Sequence, residues 1–211
     1  MPWSKLANDP AITSAKLAAG ATSATYVATL PASPVDGQEV FYQATSAVGG
    51  ATGAEYSMAD KGIVWHLRYR SASSSIYKWE FVGGQEVYSF VNADITGGTD
   101  SIWREWTDQR IVFPLAGEYE ISFGTYLSSR FTGATMTVSY ALSNDSGTLY
   151  TNTDRHLSTQ VTQAGNGMIK RQQEVTAAGV VLRQWNWGNG YDASWTTRRR
   201  WINVKPTRVK V

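Results

Sequence analysis

Alternation of apolar and polar residues is the dominant pattern in the second half of the chain. Tyr119, Ile121 and Phe123 alternate with two glutamates and a serine. A period of two places the apolar side chains on one face of a strand and the polar ones on the other. Pro114 and Gly117 come just before and predict a turn. The pattern predicts an antiparallel strand with its apolar face in a core and its glutamates facing water or another subunit.

Similar runs recur at short spacing over residues 85–211, with turn residues between them and no helical period. The predicted strands cover residues 85–92, 110–113, 118–127, 135–142, 157–161, 168–175, 180–187 and 201–209. About eight short strands separated by Gly, Asn, Asp and Ser are typical of a sandwich or jelly roll. We therefore expect an all-β protein with a C-terminal jelly-roll domain over residues 85–211.

Residues 30–84 predict a small β module in front of that domain. Turn residues at 34–37 precede a predicted strand over residues 39–44. Residues 63–70 and 77–81 then alternate strictly, with Trp, Leu, Tyr and Phe on one side and His, Arg, Lys and Glu on the other. Two such runs joined by a serine-rich loop predict a hairpin with an aromatic face and a charged face.

Residues 1–29 are rich in Ala, Ser and Thr and contain too few large apolar residues to fold alone. We interpret the segment as an arm that docks on a larger partner. Its predicted anchor residues are Trp3, Ile12 and Leu17. The alternative is a disordered tail or short linker.

Composition excludes several kinds of chemistry. The 211 residues include no cysteine, which leaves no disulfide, zinc–thiolate site or cysteine nucleophile. No apolar run reaches the roughly 18 residues of a membrane span, and no export leader is evident, so no membrane insertion is expected. Residues 166–211 hold nine Lys/Arg against two Asp/Glu. We disfavour nucleic acid as the partner of this basic end, because an acidic neighbouring subunit would explain it equally well.

Catalytic residues are sparse. His66 and His156 are the only histidines and lie in different predicted modules. Glu118 and Glu120 are neighbours on one strand face, whereas glycosidase carboxylates face each other across a bound sugar. We therefore expect no enzyme activity, no catalytic residues, no metal site and no cofactor.

The segment from Arg183 to Trp201 is the best candidate for recognition, because tryptophans cluster there around a predicted turn at residues 188–190. The predicted ligand-binding residues are Trp185, Trp187, Asn189, Tyr191, Asp192 and Trp195. Aromatic faces beside amide and carboxyl groups suit a sugar, which has apolar C–H faces and a rim of hydroxyls. The alternative is that these rings fill the core or a subunit interface. The Arg198–Arg200 triplet would hold an anionic glycan or an acidic neighbour.

Four stretches resemble proteins of tailed bacteriophages. Residues 12–20 are similar to one repeat unit of phage fibre proteins. The runs at 30–42, 62–70 and 77–84 resemble a module found in phage minor tail, fibre and head-surface proteins. The resemblance implies a structural protein of the virion surface, made in the host cytoplasm, whose arm docks on other virion proteins.

A further resemblance concerns the C-terminal domain. The residues Phe113, Gly117, Tyr119 and Ile121, with the run at 176–179, resemble the tumour necrosis factor and complement-type jelly roll. Here Ile121 stands where that family has Phe. The resemblance implies a homotrimer.

Together these features predict a short phage fibre or spike that attaches to a host cell-surface polysaccharide. The second hypothesis is a capsid decoration or head-fibre protein that stabilises the particle without essential ligand binding. The third is a carbohydrate-binding or depolymerising enzyme domain.

Overall fold

The computed structural model describes residues 25–44, 55–56, 62–96, 103–128, 134–144, 157–161, 165–189 and 196–211. In these ranges the chain forms fourteen strands and no helix. They are β1 Thr25–Val27, β2 Glu39–Tyr42, β3 Glu55–Tyr56, β4 Trp65–Tyr69, β5 Trp79–Gly84, β6 Val87–Val91, β7 Ile95–Thr96, β8 Arg104–Val112, β9 Ala116–Ser128, β10 Ala134–Leu142, β11 Leu157–Val161, β12 Gly165–Val175, β13 Val181–Asn189 and β14 Thr196–Lys210. None of the described segments is a helix that could cross a membrane.

The strands form two sheets. The large sheet has the order β1-β2-β4-β5-β14-β9-β12, and β6 and β7 also pair with β14. The small sheet has the order β11-β10-β13-β8-β3. From β6 to β14 every pairing within a sheet is antiparallel, and the first strands lie beside the last ones, β6 beside β14 and β8 beside β13. This order is that of a jelly roll, so the predicted all-β sandwich is confirmed.

The small module is continuous with the jelly roll through the large sheet. Strands β5, β6 and β7 follow one another along the same edge of β14, and β4, β2 and β1 extend the sheet beyond β5. The break between β5 and β6 follows Gly84, whose φ is 116°. The predicted boundary between residues 84 and 85 falls at this break. Whether residues 30–84 fold separately stays a prediction.

The core confirms the alternation in β9. Tyr119, Ile121 and Phe123 are fully buried, and they belong to one cluster that also contains Trp65 and Leu67 of the module. The Tyr119 ring packs 6.1 Å from the Trp65 ring, centroid to centroid. Burial raises the pKa of the Tyr119 hydroxyl well above its usual value, so it stays protonated.

Gly117 corrects one detail of the sequence interpretation. The chain bends at Pro114 and Leu115, while Gly117 is already inside β9 and its φ is not positive. A Cβ on Gly117 would overlap the carbonyl oxygen of Arg208 and lie 2.8 Å from the side chain of Val209. Glycine is therefore required here by the close approach of β14, not by a turn.

We expect Gly117→Ala to lower the free energy of unfolding by about 2 kcal/mol, because the backbone of β14 must shift to admit a methyl group. Urea denaturation at fixed protein concentration measures this. Gly83→Ala is the matched control, since a Cβ there meets no atom within 4 Å. Equal unfolding midpoints for the two variants would contradict the steric explanation.

Candidate functional site

The structure places only part of the predicted ligand-binding set. Trp185 and Trp187 lie in β13, and Asn189 is its last residue. Gly188 and Asn189 continue the strand instead of forming the predicted turn, and Gly190 lies outside the described residues. Tyr191, Asp192 and Trp195 lie outside the described residues, as do the predicted anchors Trp3, Ile12 and Leu17.

Trp185 and Trp187 project from the outer face of the small sheet. The side chains at the alternate positions of β13 are buried inside the sandwich, namely Leu182, Gln184 and Asn186. Both tryptophans are half-buried. Strand alternation puts the two sets on opposite faces. This position excludes the sandwich core for the two rings. Ligand binding and subunit contact remain as the two interpretations.

Small residues lie next to the tryptophans on β10. Ser139 pairs with Trp185, and Thr137 pairs with Trp187. Directly opposite residues share one face of the sheet, with Cβ atoms about 5 Å apart. Both short side chains are buried, so only the two rings are partly exposed at this part of the outer face.

Charged residues border the rings on the side of β8. Glu105 is the register partner of Trp185. Its carboxylate lies 2.9 Å from the guanidinium of Arg110 and 3.7 Å from that of Arg183. The guanidinium of Arg183 also lies 5.7 Å from the centroid of the Trp185 ring. We call Trp185, Trp187, Glu105, Arg110 and Arg183 the tryptophan surface.

A bulge in β8 makes this arrangement. Arg183 pairs with Arg110, but Trp185, two residues later, pairs with Glu105. Four β8 residues therefore stand opposite the single residue Gln184, and Glu105 and Arg110 reach each other across the bulge. Bulges commonly re-aim side chains near functional sites. The bulge also breaks the period of two, which is why the sequence predicted only residues 110–113 of this strand and singled out neither Glu105 nor Arg110 as a site residue.

The arginine triplet does not form the expected surface cluster. Arg200 is fully buried, its guanidinium donates to the carboxylate of Asp108 and to the carbonyl of Ala93 at 3.0 Å, and its Cζ lies 5.2 Å from the centroid of the Trp106 ring. Desolvation lowers the pKa of Arg200, while Asp108 counteracts the shift. The expectation that Arg200 holds an external anion is wrong, because the alternation of β14 turns it inward. Arg199 is exposed.

Three further titratable candidates are engaged within the chain, and His156 lies outside the described residues. His66 Nε2 lies 2.8 Å from Glu39. Glu118 pairs with Arg208 at 3.4 Å, and Glu120 pairs with Lys170 at 2.7 Å. Within the described ranges, no three His, Cys, Asp or Glu side chains come together to hold a metal ion.

A polar cavity near Glu118 was not expected from the sequence. It has a volume of about 440 Å³ and is lined by Ser75, Ile76, Tyr77, Glu118 and Glu174 among others. The Tyr77 hydroxyl donates to Glu174 at 2.7 Å, and the Ser75 hydroxyl donates to Glu118 at 2.9 Å. Burial, with the adjacent Glu174, raises the pKa of Tyr77 to about 12. Both carboxylates are therefore already hydrogen-bonded.

No protein-family model and no curated protein matches the sequence. Among solved structures, the carbohydrate-binding module CBM6cm-2 of Cellvibrio mixtus lichenase 5A, solved with cellotriose, is 12% identical, with 59% of this chain and 91% of that chain covered and a TM-score of 0.29. TmCBM61, solved with β-1,4-galactotriose, is 13% identical, with 59% and 72% covered and a TM-score of 0.30.

A structure of the infectious bursal disease virus Gx strain is 8% identical, with 68% of this chain and 42% of that chain covered and a TM-score of 0.38. All of these TM-scores are below 0.5, so the likenesses carry no argument about binding. The jelly-roll assignment rests on the strand order.

Proposed function

We propose that the protein is a non-enzymatic surface protein of a tailed-phage virion that attaches to a host cell-surface glycan through the tryptophan surface. The observation that carries the glycan part is the placement of Trp185 and Trp187, two residues apart on the outer face of the small sheet, beside the Glu105–Arg183 pair. The phage part rests on the resemblance of residues 30–42, 62–70 and 77–84 to virion modules.

The tryptophan surface offers the two kinds of contact that a sugar uses. Indole faces pack against the C–H face of a pyranose. Glu105 accepts hydrogen bonds from hydroxyls, and Arg110 and Arg183 donate to them. The indole N–H of Trp185 and the Nε–H of Arg183 are buried and have no acceptor among the described residues, so sugar hydroxyls would contact the indole faces and the outer guanidinium nitrogens of Arg183 instead.

Self-association is the second part of the proposal. It is supported by a row of apolar residues on the outer face of the large sheet. Phe90, Trp201, Gly124 and Met168 are successive register partners across β6, β14, β9 and β12. Phe90 and Met168 are 47% and 63% exposed, although both are large and apolar. Tyr88 stacks on Phe90 with ring centroids 6.4 Å apart. We call Tyr88, Phe90, Trp201 and Met168 the apolar belt.

Another copy of the same chain is the partner that fits the apolar belt. Two lysines on this outer face are already paired within the chain, Lys170 with Glu120 and Lys205 with Glu86. A strongly charged partner therefore gains little here, whereas an equally apolar surface gains burial. A homotrimer would present three tryptophan surfaces, so that weak single sites add up to avidity on a repetitive polysaccharide.

The test uses a glycan array of bacterial surface polysaccharides and the trimeric protein. We expect the double variant Trp185→Ala/Trp187→Ala to lose affinity by on the order of 100-fold or more, because aromatic anchors carry most of the energy of such contacts. The control Trp185→Phe/Trp187→Phe keeps flat rings and should retain most of the binding. An array without any bound glycan, or equal binding by the alanine variant, would contradict the proposal.

The capsid-decoration hypothesis is favoured by one observation, the exposure of Tyr88, Phe90 and Met168 in the apolar belt, which suits contacts with other virion proteins as well as with copies of the chain. The two hypotheses predict different defects in particles that lack the protein. Capsids lacking a decoration protein should lose heat resistance, whereas capsids lacking an attachment protein should keep it and lose adsorption.

A further inference from the structure

A row of aromatic rings crosses the outer face of the module. Tyr26 on β1, Phe41 on β2 and His66 on β4 are successive register partners. The ring centroids of Tyr26 and Phe41 are 5.1 Å apart, and those of Phe41 and His66 are 4.8 Å apart, with interplanar angles of 30° and 36°. Tyr26 is 70% exposed. A large ring left this exposed next to two others forms an aromatic strip rather than part of the core.

The strip ends at a notch. The register partner of His66 on β5 is Gly83, which has no side chain, and a Cβ there would meet no atom within 4 Å. Together with Val64, Gly84 and Gln85, the strip and the notch line an open cavity of about 390 Å³. This volume lies within the range of about 300–1,000 Å³ of small-ligand sites.

Fixed polar groups border the strip. Glu39 Oε2 lies 2.8 Å from His66 Nε2, and Glu39 Oε1 accepts a hydrogen bond from Arg68 at 2.7 Å. The Arg68 hydrogen bond, followed by that of His66, lowers the pKa of Glu39, so the carboxylate stays ionised. The negative charge of the Glu39 carboxylate and the positive charge of the Arg68 guanidinium neutralise each other. The edge of the strip therefore offers hydrogen-bond acceptors and donors without a net charge.

We infer that this groove binds a neutral hexose unit of a glycan, with the sugar ring over Tyr26 and Phe41 and its hydroxyls at Glu39 and Arg68. The apolar C–H face of a pyranose matches the strip, and adjacent hydroxyls both donate and accept. An anionic sugar gains nothing from an arginine that already holds a carboxylate. The notch at Gly83 gives room for an exocyclic group. The inference stands on this groove alone and holds or fails separately from the tryptophan surface.

Saturation-transfer NMR on the full chain tests it with four probes: the methyl glycosides of glucose, galactose and mannose, and methyl glucuronide. We expect at least one neutral glycoside to bind with a Kd on the order of 1–10 mM, as befits one sugar unit. Tyr26→Ala removes the exposed ring, and Gly83→Met fills the notch at a position with open space. Each should weaken binding at least tenfold.

Two matched variants define the outcome. Ile76→Ala removes a 63% exposed apolar side chain outside the groove. This variant and Trp185→Ala/Trp187→Ala should leave the affinity within twofold. The inference is overturned if no neutral glycoside binds, if binding survives Tyr26→Ala and Gly83→Met, or if only methyl glucuronide binds. If only Trp185→Ala/Trp187→Ala loses glycoside binding and the groove variants keep it, the inference about this groove is overturned and the proposed function stands.

Discussion

Asp108→Asn should be among the most destabilising single substitutions in the jelly roll, lowering the free energy of unfolding by about 3 kcal/mol. The change removes the counter-charge of Arg200, which is fully buried, with little change of shape. The value is the low end for breaking a buried pair, because the Asp108 side chain is 41% exposed and partly screened by water. Urea denaturation at fixed protein concentration measures the loss.

A double-mutant cycle separates charge from packing. Arg200→Met keeps the length of the side chain and removes the buried charge, and a buried ion pair replaced by apolar residues costs little. Asp108→Asn should therefore cost much less in the Arg200→Met background than in the native protein. Equal costs in both backgrounds would show that Asp108 acts without Arg200.

Phe90→Lys combined with Met168→Lys should convert the proposed trimer into monomer, with trimer affinity weakened by on the order of 100-fold or more. Each lysine puts a charge into the apolar belt, where it would be desolvated on association. Sedimentation velocity at micromolar concentration should give three times the chain mass of 23.2 kDa for the native protein and a single chain mass for the variant.

Ile76→Lys is the control for the apolar belt, since Ile76 is as exposed as Met168 but lies in the module. It should remain trimeric. A native chain that sediments as a stable monomer, or a belt variant that remains trimeric, would remove the trimer from the proposal and leave the tryptophan surface untouched.

Regular alternation made most strands predictable from the sequence. The bounds of β11 and the apolar positions of β9 follow a local pattern, so both strands and the buried face of β9 could be inferred without knowing their neighbours. The outward placement of Trp187 follows from the same alternation once Leu182 is known to be buried. No longer-range information was needed for these features.

Features that depend on register were not predictable. Glu105 and Arg110 meet only because β8 bulges opposite Gln184. Gly117 resembled a turn residue, yet its role depends on how closely β14 approaches. The inward orientation of Arg200 could not be inferred, because two arginines directly precede it and the triplet resembles an exposed basic cluster. In each case the deciding partner lies far away in sequence.

The tryptophan surface is the centre of the proposed function, and the indole N–H signals of the nine tryptophans test it most directly. A glycan that the array identifies would be titrated into ¹⁵N-labelled full-length protein. We predict that the indole signals of Trp185 and Trp187 shift, whereas those of the buried Trp65, Trp79 and Trp106 do not. Saturable glycan binding without any shift of the Trp185 and Trp187 signals would contradict the assignment of this surface.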